Sequence, residues 1–423
     1  MVYRYHDGTK HAFARFARSL GYLDWAAQPR VFRTFPGARH YPLYPAPGAF
    51  PDGYVPRPVS LDEACAQAVA PAPLTAGAIG DLLRHALGLS AWKAFGASRW
   101  SLRVTPSSGN LHPTEAYVVL PPLPGLADSP GVYHYDVERH AVELRCAFPG
   151  SAWERMVSDR RDVMFVALTS IHWREAWKYG ERAFRYCQHD LGHTIASLSI
   201  AAAVQGWQVR IVPALSHDAL AALTGVGRES DFIEAEREEP GCLLVVAAGP
   251  VPEWTDARPF EPFVDAVAGG AWTGRASQLS EDHVTWTFVD EVAQATVDPG
   301  RTQTLAPPDW RPTGQTGPDR RHDARALLLS RRSAVAFDGR APLARRAFLD
   351  ILARVMPGDA SPWTSLWWSP RVHLALFVHR VEGMPPGLYM LPRAHDALQR
   401  LRDACHADFL WEPADGDLPL WML

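Results

Sequence analysis

Residues 105–120 read TPSSGNLHPTEAYVVL. Pro106, Ser107, Ser108, Gly109 and Asn110 form a polar, turn-making cluster, and Ala116 to Leu120 is an apolar run that suits a buried strand. Such a cluster is either a plain turn before a strand or a loop that holds a polar, planar ligand. Short hydroxyl and amide side chains beside a glycine let backbone amides approach a ring closely. Taken alone, the residues favour the turn.

The surrounding pattern is regular. LTAGAIGDLLRHALGLS (74–90) reads as an amphipathic helix with Ile79, Leu82, Leu83, Ala86 and Leu87 on one face. GVYHYDVERHAVELR (131–145) reads as a hairpin turning around Asp136–His140, and RDVMFVALTS (161–170) and CLLVVAAG (242–249) as buried strands. RYCQHDLGHTIASLSIAAAVQGW (185–207) is a long helix, apolar nearly all round and stopped by Gly206; such a helix sits in a core or a subunit interface. Residues 28–60 are too rich in proline for a helix or a central strand. Their aromatic residues Phe32, Phe35, Tyr41 and Tyr44 favour an extended arm docked on a surface or on a partner subunit. TLAPPDWRPTGQTGPDRRHD (304–323) reads as a connection between domains.

Composition excludes several classes. The 423 residues, 47% of them hydrophobic, suffice for two domain-sized cores. A net charge of −4 without a long basic run argues against nucleic acid as the main partner. Cys65, Cys146, Cys187, Cys242 and Cys405 are scattered, with no CxxC, as expected of a reduced cytoplasmic protein without a disulfide framework or thiolate zinc site. The N-terminus lacks the apolar core of a secretory signal, and the stretch Ile195–Val204 is too short to span a bilayer.

The second half echoes the first. LARRAFLDILARVMPG (343–358) repeats the helix pattern of 74–90, and GLYMLPRAHDALQRL (387–401) repeats the hairpin pattern of 131–145. We expect a tandem repeat of one fold in diverged copies. The organisation is an arm at 1–60, a first domain at 61–255, a linker at 256–320 and a second, truncated domain at 321–423.

At PSSGNLHP, SRRSAVAF (330–337) and KYGERAFRYCQHDLGH (178–193) the chain resembles the FMN-dependent nitroreductase superfamily, and within it the SagB-type dehydrogenases. The resemblance implies an α+β fold, an antiparallel-rich sheet flanked by helices, with the two copies forming a pseudo-dimer inside one chain or a homodimer between chains. It implies that Pro106–Asn110 contact the ring and ribityl chain of FMN. It implies that Arg331, Arg332 and Ser333 grip the phosphate, which guanidinium groups bind bidentately. It also implies that Lys178 and Tyr179 lie beside the flavin and take part in removing a proton from a small-molecule or peptide substrate. NAD(P)H would visit as a transient reductant, since no GxGxxG follows a strand. The first half keeps the ring loop and the second keeps Arg-Arg-Ser, so one composite site is expected.

Two other readings remain open. HDLGH (His189–His193) spaces two histidines to face one metal, as in helical zinc proteases, but offers no third ligand. Each copy alone lacks one flavin element, which fits a non-catalytic scaffold. Glu181, Arg182 and Arg185 read as a structural charged network.

Overall fold

The computed structural model describes residues 1–43, 54–158, 160, 162–251, 254, 256–301, 322–394 and 396–423. Tyr44 of the expected arm and residues 304–321 of the expected connection lie outside the described residues.

Alternate residues of the run 163–168 serve two different cores. Val163, Phe165 and Ala167 pack on one side of a sheet and Met164, Val166 and Leu168 on the other, each at most 1% exposed. The strands of this sheet are β1 (Arg39–Pro42), β4 (Thr114–Leu120), β5 (Gly131–Asp136), β6 (Ala141–Ala147), β7 (Val163–Ser170), β8 (Gln208–Ile211), β9 (Glu239–Ala247) and the short β10 (Ala271–Trp272). Their spatial order is β1-β6-β5-β4-β7-β9-β8, with β10 also on β6, and every pairing is antiparallel. Between β1 and β4 in the chain, β2 (Leu89–Phe95) and β3 (Ser98–Arg103) form a separate two-stranded hairpin. A third sheet in the order β11-β12-β14-β13 uses Leu374–Val378, Gly387–Leu391, Glu412–Pro413 and Trp421–Met422 as β11 to β14.

The helices are α1 (Val2–Thr9), α2 (Leu61–Cys65), α3 (Ala76–Ala86), α4 (Gly150–Val157), α5 (His172–Tyr179) and α6 (Ala183–Ala203). There follow α7 (His217–Thr224), α8 (Glu261–Ala268), α9 (Thr287–Ala295), α10 (Ala324–Ser330), α11 (Arg345–Arg354) and α12 (Ala397–Ala404). Helices α3 and α6 cover one face of the large sheet with Ile79, Leu82, Leu83, Leu198 and Ala202. Helices α4, α7 and α8 cover the other with Trp153, Met156, Leu223, Phe263 and Val267. Both faces are buried, which is why β7 and β9 read as continuous apolar runs. Thr75 caps α3 by accepting from Ala78 N–H at 3.2 Å, a bond contributing about 1 kcal/mol. Just beyond α6, Gly206 takes φ +71°, and a Cβ there would lie 2.4 Å from the Val69 carbonyl oxygen. None of the described helices is long and apolar enough to cross a membrane.

The structure differs from the sequence reading in three places. Residues 28–43 are not a docked arm but part of the core. Phe35 is fully buried, Arg33 donates to the Glu236 and Ser277 carbonyls, and β1 closes the sheet edge against β6. Proline at a sheet edge is tolerated because its missing N–H faces outward, and this allowed the segment to pair despite its composition. Residues 256–301 are not a linker, because Phe260, Phe263 and Val267 fill the core beneath β7. Residues 387–401 are not a second hairpin: β12 is followed by α12.

The C-terminal sheet has its own core, with Leu352, Met356, Tyr389, Leu391 and Leu420 buried together. It docks on α6 through buried hydroxyls, with Ser199 Oγ 2.8 Å from Ser361 Oγ and 2.7 Å from Ser365 Oγ. Helix α10 docks on α3 through Arg325, whose Nε donates to Asp81 Oδ2 at 2.8 Å.

Candidate functional site

The loop 106–112 is held in a conformation that most residues avoid. Gly109, Asn110 and His112 have φ of +64°, +62° and +50°. For the two non-glycine residues this costs roughly 1–2 kcal/mol each. Side chains of the loop itself offset that cost. Ser107 Oγ accepts from His112 N–H at 2.8 Å. Asn110 donates from Nδ2 to the Ser101 carbonyl at 2.9 Å and lies 3.0 Å through Oδ1 from His112 Nε2. The Ser108 N–H donates to the Asp190 carboxylate at 3.2 Å. Burial holds the His112 imidazole neutral, well below the usual histidine range, so its Nε2 proton is free for Asn110.

Helix α5 brings the remaining groups to this loop. Ile171 N–H donates to the Pro113 carbonyl at 2.8 Å, which fixes where the helix starts. From its first turn, Arg174 Nη1 donates to the His112 carbonyl at 2.7 Å and to Glu115, and Nε donates to the Arg30 carbonyl at 3.1 Å. One turn later Lys178 and Tyr179 close on Gly109: a Cβ there would stand 2.7 Å from the Tyr179 hydroxyl and 3.2 Å from Lys178 Nζ. Thus Gly109 and the consecutive pair Lys178–Tyr179, distant from it in sequence, share one spot. Burial pushes the Tyr179 phenol up to about 12, helped by Glu175, Tyr186 and Asp190, so it keeps its proton and acts as a donor.

Sequence reasoning missed the groups beneath this spot. Glu175, buried under the Lys178–Tyr179 turn, is pushed by burial and then by the charge of Asp190 up to about 9. Neither of its oxygens has a hydrogen-bond partner among the described residues. A buried chain also runs from Arg174 through Glu115 to His134 Nε2 (2.9 Å), and from His134 Nδ1 to Glu143 Oε2 (2.8 Å). Burial alone would push the His134 imidazole down; its bonds to the two carboxylates outweigh this and hold it at about 9. The one available signal was a set of charged residues inside otherwise apolar strands.

A cleft of about 1010 Å³ opens over Gly109, Asn110 and Lys178, walled by Trp25, Phe32, Trp92, Trp100 and Trp177. Pro106 and Ser107 line a separate pocket of about 20 Å³, the size of a water molecule, and Ser108 points at Asp190. Arg331, Arg332 and Ser333 lie exposed after α10. Arg332 Nη2 donates to the Ser90 carbonyl on β2 at 3.2 Å. Asn110 bonds the Ser101 carbonyl on the partner strand β3, so the two motifs contact the two strands of one hairpin and not each other. Of the zinc-like HDLGH, His189 and His193 face solvent and Asp190 turns inward to Ser108. Arg182 donates to the Thr9 carbonyl and Arg185 to the Thr9 hydroxyl at the end of α1, and among the described residues neither forms an ion pair with Glu181, so the expected charged network is replaced by contacts to α1.

No family model matches the sequence. A protein of Methanocaldococcus jannaschii named a candidate nitroreductase is 28% identical over 141 residues, 32% of this chain and 66% of the relative. The chain thus matches just under two thirds of that relative's length. A crystal structure from Anabaena variabilis, also named a candidate nitroreductase, superposes with a TM-score of 0.60 at 20% identity, covering 93% of this chain and 77% of the other. A third candidate nitroreductase, from Ralstonia eutropha, reaches only a TM-score of 0.35 at 16% identity, covering 53% of this chain and 95% of its own. The chain has the nitroreductase-like α+β fold, an antiparallel sheet flanked by helices.

Proposed function

We propose that the chain is a flavin-dependent oxidoreductase that holds FMN noncovalently in the cleft over Gly109 and Lys178. The observation that carries this reading is the meeting of Gly109, Lys178 and Tyr179 beneath an aromatic cleft of about 1010 Å³. The fit to the group is good at the ring end. The missing side chain at Gly109 lets Lys178 and Tyr179 pack against the loop backbone at the floor of the cleft, and the tryptophan walls supply stacking surface for a planar ring. Ser107, Ser108 and Asn110 act by shaping the loop, since their side chains are engaged within the protein. For the phosphate end we keep Arg331, Arg332 and Ser333, because neither guanidinium has an acidic partner among the described residues.

Bound FMN would supply hydride transfer. The chain's own part is proton handling: Lys178 Nζ is the group placed to take a proton from the substrate, and the Tyr179 hydroxyl donates a hydrogen bond that orients it. Glu175, kept neutral beneath them, spares Lys178 a fixed salt bridge. By this reading the substrate is a small molecule or a peptide, as in SagB-type dehydrogenases, NAD(P)H is a transient donor, and the C-terminal unit is the diverged second copy of a pseudo-dimer. The five unpaired cysteines support a reducing, cytoplasmic setting.

The saturation of Ser107, Ser108 and Asn110 favours one rival, a scaffold that has lost its cofactor. Gel-filtering the purified chain after mixing it with FMN separates the two. The expected result is retained flavin absorbance at no more than about one FMN per chain. A colourless protein would leave the scaffold reading in its place.

A further inference from the structure

Helix α6 turns Asp190 and Thr194 toward the small pocket beside the Gly109 loop, and Gln188, Leu191 and Ile195 toward a second cavity of about 790 Å³. Leu191, Ile195, Ile211, Val212 and Leu243 give this cavity an apolar part. Its mouth carries Trp367 and Trp368 from the C-terminal unit, a T-shaped pair with centroids 5.2 Å apart. The guanidinium of Arg301 already stands 5.1 Å from the Trp367 ring, so this ring accepts a cation in the protein itself.

The charges around the cavity are unevenly spent. Glu238 is taken up by Arg33 at 3.3 Å and by the hydroxyls of Tyr117 and Thr169. Asp298 pairs with Arg301 at 3.6 Å, and Arg237 with Glu229 at 3.3 Å. Asp218, on the first turn of α7, and Glu239, at the start of β9, line the same cavity and form no ion pair among the described residues. The two histidines of the wall bring no positive charge, because burial holds His172 at about 4 and pushes His217 down. In the wall, Ser170 is 3% exposed and its hydroxyl has no hydrogen-bond partner among the described residues. Such an orphaned buried group costs about 1–3 kcal/mol unless a ligand or water satisfies it.

We propose that this cavity binds an organic cation, an amine or amidinium on an aromatic or apolar body, with Asp218 and Glu239 facing its charge, Ser170 accepting an N–H, and Trp367 and Trp368 closing over the body. The site lies apart from the Gly109 cleft and does not depend on the flavin reading.

The test uses the full chain titrated by calorimetry with benzamidine and with benzamide, its neutral analogue of nearly the same shape. Benzamidine should bind at one site per chain, with benzamide at least about tenfold weaker. Asp218→Asn with Glu239→Gln, which remove both charges while keeping the size of the side chains, should erase the difference. Ser170→Ala should weaken both ligands while leaving the unfolding temperature within a few degrees of the parent. No binding of benzamidine, equal binding of the two compounds, or a preference that survives the double substitution would overturn the proposal. Displacement of benzamidine by FMN would also overturn it, and only that outcome bears on where the flavin sits.

Discussion

The hydroxyl of Tyr179 stands 2.7 Å from the point where a Cβ on Gly109 would be. Position 109 therefore excludes a side chain twice, by this contact and by its φ of +64°. Gly109→Ala should destabilise the fold by about 1–2 kcal/mol through backbone strain, read as a lower midpoint in urea. It should also displace Tyr179 and reduce the FMN retained after gel filtration. A variant with parental stability and parental flavin content would remove Gly109 from the site.

Lys178→Ala and Tyr179→Phe address chemistry rather than binding. Each should lower the rate of substrate-driven bleaching of flavin absorbance, by about a hundredfold or more for the lysine, with flavin content nearly unchanged. Equal rates in parent and both variants would leave the pair as packing against the loop.

Removing Arg331 and Arg332 together deletes two charge-assisted contacts of about 1.5–3 kcal/mol each. FMN should then bind roughly 10²- to 10⁴-fold more weakly. The control is Arg30→Ala with Arg99→Ala at the rim of the cleft. If the control loses FMN while the Arg331/Arg332 variant keeps it, the phosphate end lies at the rim and the composite site is wrong.

His134 sets a pH limit on stability. Its folded-state pKa of about 9 lies above that of the unfolded chain, about 6.5. Its contribution is therefore fully present below about pH 6.5 and lost as pH rises through about 9. Urea midpoints should fall over that window. His134→Gln should flatten the fall and cost about 3–5 kcal/mol at pH 7, because Glu115 and Glu143 would lose the buried imidazolium they share, leaving Glu115 to Arg174 alone. A variant with an unchanged midpoint and an unchanged pH profile would show the triad to be uncharged.

Much of the large sheet was legible because burial on both faces leaves unbroken apolar runs, as in β7 and β9, and because α6 is apolar and ends at a glycine. The hairpin β2–β3 was not legible. Its residues 92–100 are exposed on both faces, so no alternation marked it, and Leu89 and Ser90 read as the tail of α3. The edge strand β1 was hidden by proline density, although His40 to Leu43 alternates as an edge strand should. Within the site, the nearness of Lys178 to Gly109 depends on how α5 crosses under the loop, which local sequence does not encode. Arg174, which makes that crossing, is a charged residue in a helix of otherwise amphipathic pattern, and its three bonds all go to distant segments.

The burial of Arg33 has a consequence for synthesis. Among the described residues its guanidinium is met by Glu236, Glu238 and Ser277, the last 244 residues away in sequence. At about 5–20 residues per second, a ribosome needs roughly 12–50 s after making Arg33 to make Ser277. Throughout that interval the Arg33 guanidinium lacks one of the partners that bury it, although Tyr117 and His134, which pack on Phe35, are made before it ends. Burial of Arg33 is therefore a late event in folding.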